Sequence, residues 1–190
     1  VSAMALAVLF SMSRTLEMAL FPYAVVLQVT PVVAIAPLIL IWVGFDKVEI
    51  AALIIAWIVA FFPILSNATL GLRAVDPNLS DLFRLYGATR WQRLVRLQLP
   101  AALPYILSGV KVSGGLALIG AIMAEFVAGS GSATGLAWVI TEAGRNLQIA
   151  KMFAALGLLS AVGVANFYAL TLFEWALLHR WHDSAVKRQG

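Results

Sequence analysis

Long charge-free stretches alternate with short polar ones along this chain. No Asp, Glu, Lys or Arg occurs from Met18 to Phe45, from Ile50 to Leu72 or from Met152 to Phe173. Each run exceeds the roughly 20 residues that a helix needs to cross the hydrocarbon core of a bilayer. Lipid offers no partner to an unpaired backbone N–H or C=O, so such segments are helices. The pattern predicts an all-α, polytopic transmembrane helical bundle. Val1 to Met12 reads as the second half of a spanning helix and Ser13 to Pro22 as a short polar connection. A span is expected from Tyr23 to Trp42, interrupted at Pro31 and Pro37, then a turn at Gly44-Phe45-Asp46-Lys47. Further spans are expected from Val48 to about Leu70, from Ala101 to Glu125 and from Lys151 to Leu178. Between the last two lies a Gly-rich connection with a short helix around Leu136 to Ala143 and a flexible turn at Gly129-Ser130-Gly131-Ser132.

Residues 73 to 99 are different in kind. Arg73, Asp76, Asp81, Arg84, Arg90, Arg93 and Arg96 keep this stretch out of hydrocarbon. Leu79, Leu82, Phe83 and Tyr86 nevertheless recur at helical spacing. Pro77-Asn78 is a helix start and Gly87 a helix stop, after which Leu94, Val95 and Leu97 continue an apolar pattern as far as Pro100. Two short amphipathic helices hinged at Gly87 are expected. An apolar face with nothing of its own to bury invites a partner.

Composition strengthens the membrane reading: 62% of the residues are apolar and 12% charged, with a mean hydropathy of +0.94. A soluble domain carries about a quarter of its residues charged. The absence of cysteine excludes disulfides and thiolate metal sites. The net charge of +4 sits mostly beside apolar runs, a topology signal rather than a nucleic-acid surface. With residues 73 to 99 placed in the cytoplasm, that side collects nine Lys and Arg, the other side three (Lys47, Arg145, Lys151), and Lys111 falls within a span, which accounts for all 13. The C-terminus is then cytoplasmic. The chain opens in an apolar segment with neither an initiator Met nor a charged leader, so a sequence truncated at its N-terminus is expected. No G-x-x-x-x-G-K-[ST] loop occurs, which excludes an ATPase of that kind.

Asp81-Leu82-Phe83, Gly87, Leu97, Leu99 and Pro100 sit at the spacing of a motif written EAA, three residues, Gly, nine residues, Ile-x-Leu-Pro. On these residues the chain resembles the MetI-like permeases of binding-protein-dependent ABC importers. Thr30-Pro31, Ala36-Pro37-Leu38, Phe62-Pro63-Ile64-Leu65 and Leu72-Arg73-Ala74-Val75-Asp76-Pro77 extend the likeness to the nitrate, sulfonate and taurine branch, which includes pyrimidine-precursor transporters. Asp81 stands where the motif has Glu, Leu82 and Phe83 where it has alanines, and Leu97 where it has Ile, which makes the face bulkier.

The resemblance implies a single permease domain over residues 1–190 in the bacterial inner membrane, with residues 76–99 as cytoplasmic coupling helices. Leu82, Phe83 and Tyr86 would supply buried contact with a separate ATPase subunit, Asp81 a polar or ionic contact and Gly87 the turn. The implied partners are that ATPase, a second permease copy in a homodimer, an external substrate-binding protein and membrane lipid. No cofactor, metal, nucleic acid or enzymatic activity is implied. The implied substrate is a small organic or inorganic anion, or a vitamin or pyrimidine precursor.

Gly109, Ser113, Ala117 and Ala121, and Gly157, Ala161, Ala165 and Ala169, recur every four residues along two spans. Small residues at this period let helices approach closely, and packing within the chain is expected of both stripes. Lys111 and Glu125 are costly in hydrocarbon and are the candidates for a pathway or gate. His179 and His182 stand beside Trp175 and Trp181 as an interfacial anchor rather than a metal pair. The rival reading is an ion-gradient-driven secondary transporter or channel. Such proteins show paired intramembrane charges and internal repeats, and neither is visible. A membrane-embedded enzyme would need clustered acids, and the nine acidic residues are scattered.

Overall fold

A computed structural model describes residues 1–128 and 135–179, and every regular element among them is helical. The elements are α1 (Ser2–Met12), α2 (Arg14–Val29), α3 (Val32–Val43), α4 (Val48–Arg73), α5 (Pro77–Leu85), α6 (Arg90–Arg93), a π-helical turn (Leu94–Gln98), α7 (Leu99–Ala128), α8 (Leu136–Arg145) and α9 (Ile149–Leu178). Three stretches are long and apolar enough to cross a membrane: α4, the continuous Arg90–Ala128 helix, and α9. Helices α2 and α3 pass the same test together but are bent by 93° at the break between them, the shape of a broken span or a re-entrant loop. The turn expected at Gly129–Ser132 lies outside the described residues.

Several expectations need correction. The connection expected from Ser13 to Pro22 is helical, because the chain leaves α1 and re-enters a helix within one residue. Ser13 has extended backbone (φ −143°), and its Oγ accepts the Leu16 N–H at 3.4 Å. Proline also proves a poor guide to breaks here. Pro22, Pro37, Pro63 and Pro104 all lie inside helices, as apolar surroundings allow where neighbouring groups satisfy the freed carbonyls. Pro31 does break the chain. Thr30 before it is disfavoured from the α region, and its hydroxyl donates to the Val26 carbonyl at 2.7 Å, closing α2.

The third correction concerns the stretch after Gly87. It is not a separate short helix ending at Pro100 but the root of a 39-residue helix running to Ala128. The π turn explains how Pro100 is accommodated. A proline clashes with the carbonyl four residues back, here that of Arg96. Just before it the Leu99 N–H reaches the Leu94 carbonyl, five residues back, and this wider turn relieves the crowding.

The chain divides into two compact units, and α2, α4, α7 and α9 contribute to both. One comprises residues 1–25, 61–112 and the described residues from Leu170 onward. Its core contains Ala7, Phe10, Leu65, Leu72, Leu94 and Ala102. Phe21 lies between Phe10 and Phe62, with ring centroids 6.4 Å and 5.8 Å away. The Arg73 guanidinium pairs with Glu17 in the first turn of α2 and donates to the Phe10 carbonyl at 3.4 Å. That carbonyl is one of those a helix end leaves without an intrahelical donor.

The other unit comprises residues 26–60 and 113–169, with a core that includes Ile39, Leu40, Ala51, Ile55 and Ala124. In the first unit, Gly109 packs against the Pro63–Asn67 turn of α4. In the second, Gly120 packs on the Ala56 backbone, and the buried Ser113 hydroxyl donates to the Ala60 carbonyl at 2.8 Å. The α7 stripe therefore drifts from 113 to 120 rather than 121, because a helix repeats every 3.6 residues and not every four. The α9 stripe does not pack within the chain. Gly157, Ala161, Ala165 and Ala169 are all exposed, while a narrow seam through Ala155, Gly163 and Asn166 faces inward. Asn166 donates to the Gly114 carbonyl at 3.1 Å.

Candidate functional site

The hinge is specified by short-range hydrogen bonds on both sides of Gly87. Asp76 begins α5 by accepting the Asn78 N–H at 2.8 Å, with Pro77 at the first helical position, where its missing donor is harmless. The helix ends in a Schellman arrangement: the Ala88 N–H reaches the Phe83 carbonyl and the Gly87 N–H the Arg84 carbonyl, both at 2.9 Å. Gly87 has φ +70°, a left-handed conformation that glycine adopts without strain. Thr89 and Gln92 then form a capping box: the Thr89 N–H donates to Gln92 Oε1 at 2.8 Å and the Gln92 N–H to Thr89 Oγ1 at 3.2 Å. A helix stop abuts a helix start, with Gly87 and Ala88 between them.

This turn leaves α5 projecting, with no buried residue. Leu82 is 45% exposed and Tyr86 83% exposed, although burying a large apolar side chain ordinarily contributes about 1.5–3 kcal/mol. Leu82, Phe83, Tyr86 and Gly87 line a hollow of about 430 Å³ inside the hinge, closed by Ala88, Gln92 and Arg96. Asp81 lies outside it, exposed, with Oδ1 3.4 Å from an Arg84 nitrogen. The second half of the motif does not join this cluster. Leu97 falls in the π turn, Leu99 packs against the bundle core and Pro100 is exposed. The sequence reading missed Leu85, which is 85% exposed. Its signal was present, three residues from Leu82 on an adjoining part of the same face. The Thr89–Gln92 box was also legible and overlooked.

The two intramembrane candidates have partners. Lys111 Nζ lies 2.9 Å from Glu174 Oε2, and both side chains are about four-fifths covered, 20% and 19% exposed. A paired intramembrane charge is therefore present, contrary to the sequence reading. Glu174 stands just beyond the charge-free run that ends at Phe173, and 63 residues separate it from Lys111, so no local pattern links them. Removing one partner strands the other. Lys111→Met alone is expected to destabilise the protein by roughly 2–4 kcal/mol, and pairing it with Glu174→Gln should restore most of the loss. A double-mutant cycle on thermal denaturation in detergent reads this, and additive losses would show that the pair does not interact.

Glu125 is engaged as a helix cap. Its Oε2 accepts the Ala137 N–H at 3.1 Å, in the first turn of α8, whose own preceding residue, Gly135, provides no side-chain cap. A side chain at Gly135 would collide with that carboxylate. His179 stacks on Trp175 at 4.5 Å, as an interfacial anchor would. His182, Arg180, Trp181, Lys187 and Arg188 lie outside the described residues. Among the described residues no three His, Cys, Asp or Glu side chains gather as metal ligands.

Residues 1–184 match the family described as the binding-protein-dependent transport system inner membrane component. The chain belongs to that family. It is 38% identical over 174 residues to the riboflavin transport system permease protein of Chloroflexus aurantiacus, covering 90% of this chain and 62% of that one. It is 32% identical over 176 residues to the formylaminopyrimidine transport permease protein of Halalkalibacterium halodurans, covering 91% and 67%. It is 28% identical over 171 residues to the bicarbonate transport system permease protein of Synechococcus elongatus, covering 90% and 60%. The chain thus spans about three fifths to two thirds of the length of these curated relatives. Membership of an inner membrane component family, together with its several long apolar helices, makes it a multi-pass membrane protein. Family membership, and not an absence of intramembrane charge pairs, is what sets aside the ion-gradient-driven alternative.

Proposed function

We propose that this chain forms part of the translocation pathway of an ABC importer and that residues 76–99 couple it to a separate ATPase subunit. The observation that carries the reading is the projecting α5. Leu82, Leu85 and Tyr86 are presented to a partner by a hinge fixed on both sides by hydrogen bonds, and Leu82 and Phe83 occupy motif positions. Asp81 adds a charge at the rim, and Gly87 sets the angle. Leu97, Leu99 and Pro100 form the rooted half of the motif, where the loop passes into the spanning helix and a push on α5 would be delivered to α7. Lys111 and Glu125 serve this reading as structural ties within the bundle rather than as a gate.

Family membership supports an external binding protein as the partner that delivers the substrate, and the proposed assembly adds a second permease copy seated in lipid. The exposed small-residue stripe of α9 is free for either lipid or that second copy. The relatives named for riboflavin, formylaminopyrimidine and bicarbonate support a small anion or a vitamin or pyrimidine precursor as the substrate class.

Sidedness tests the coupling proposal directly. A cysteine at Ser80 should react with a membrane-impermeant maleimide only from the cytoplasm, and one at Gln148, in the exposed turn before α9, only from outside. The nine-to-three split of basic residues motivates both expectations. External labelling of Ser80 would remove α5 from the reach of any cytoplasmic ATPase and end the proposal.

A further inference from the structure

A second hollow, of about 410 Å³, opens beside the hinge where the end of α1 meets α5 and α6. Ser11, Arg84, Arg90, Arg93 and Gln98 are among its lining residues, and no carboxylate lines it. Arg90 and Arg93 form no ion pair among the described residues. Arg84 has only the 3.4 Å contact with exposed Asp81 as an ion pair there, an arrangement that contributes little. Arg93 Nε is buried and has no hydrogen-bond partner among the described residues. Three arginines line one cavity that has no carboxylate among its lining residues, so like charge is unbalanced there, and the orphaned buried Arg93 N–H adds its own desolvation cost. An anion in the hollow offsets the unbalanced charge.

We propose that this hollow binds a phosphate-bearing anion. Guanidinium forks match phosphate oxygens with two parallel hydrogen bonds, which an ammonium cannot do. Ser11 and Met12 place the hollow at the end of the short apolar helix α1. On the cytoplasmic side, which rests on the proposed function, that is the level of anionic phospholipid headgroups. The site bears on coupling because it straddles the hinge: Arg84 belongs to α5, whereas Arg90 and Arg93 follow Gly87. An anion held by all three braces the angle at which α5 is presented.

The test uses the full-length permease purified with its ATPase, in nanodiscs of phosphatidylcholine with or without phosphatidylglycerol. Native mass spectrometry should show phosphatidylglycerol retained by the parent and by Arg14→Gln, a charge control from the same side. Retention should fall roughly tenfold or more in the Arg84→Gln, Arg90→Gln, Arg93→Gln triple variant. Calorimetric titration with inorganic phosphate in phosphatidylcholine alone separates the sources. Saturable binding that the triple variant loses identifies free phosphate as a ligand and also supports the site. Equal lipid retention by parent and triple variant, with no phosphate binding by the parent, overturns it. Loss of ATPase co-purification in the triple variant without binding of either ligand also overturns it, since the arginines would then be protein-docking groups. Arg93→Gln alone, with its retention read against the parent, keeps the test valid if the triple variant does not assemble. Phosphate titration does not depend on sidedness, so an external Ser80 would defeat the coupling proposal without deciding this one.

Discussion

Gly87→Val is expected to yield a protein that inserts and folds but scarcely transports. A Cβ at Gly87 would meet nothing within 4 Å, so the effect comes from the backbone alone. At φ +70° a β-branched residue is a genuine outlier, with strain of about 1–3 kcal/mol. That is too little to unfold the bundle. It is enough to reduce the population of the docking-competent hinge by about 5- to 150-fold. With crowding absent, substitutions should rank by their tolerance of left-handed backbone: Asn mildest, Ala intermediate, Val worst. Vesicle uptake and ATPase activity, measured beside co-purification of the ATPase, test the series. Uptake by Gly87→Val equal to that of the parent would show that the hinge angle does not matter.

Asp81→Lys should abolish stable association with the ATPase while leaving membrane insertion intact. Two effects follow from this change, and their sizes decide which one the measurement sees. Within α5 the new lysine faces Arg84 three residues on, and a like-charge pair of that spacing costs a few tenths of a kcal/mol. At the docking face a charge reversal acts against a partner selected for the opposite sign, and the cost there is roughly 2–5 kcal/mol. The second dominates. Asp81→Asn, which removes charge without reversing it, should fall between the parent and Asp81→Lys. Co-purification of the ATPase and uptake in vesicles check the order. If Asp81→Lys retains the ATPase as the parent does, Asp81 lies outside the interface.

The helical spans were legible because hydrocarbon punishes charge and unpaired backbone, and both constraints leave marks along the chain. The hinge was legible for a local reason: Asp76-Pro77, Gly87 and Thr89-x-x-Gln92 set caps through bonds spanning five residues or fewer. The rest depended on distance. Arg73 with Glu17 and Lys111 with Glu174 join residues 56 and 63 positions apart, and nothing near either residue announces the other. Glu125 looked like a stranded charge because its partner is a backbone N–H at Ala137, invisible in side-chain chemistry. Pro100 misled because the π turn that accommodates it is defined by backbone geometry, with no residue type that marks it.

That π turn gives the loop a freedom of its own. A π turn holds one residue more than the α-helical turn it replaces, so side chains before it are offset by about 100° from an uninterrupted helical register. Leu94 is buried and Leu99 packs on the core, which holds the turn at both ends. The direction in which α6 and the hinge point is thus separated from the direction in which α7 packs. A one-residue insertion or deletion within Leu94–Gln98 could rotate the docking face while the packed face of α7 kept its neighbours. A lineage could retune its fit to an ATPase by changing chain length at this point, without reworking the membrane interior.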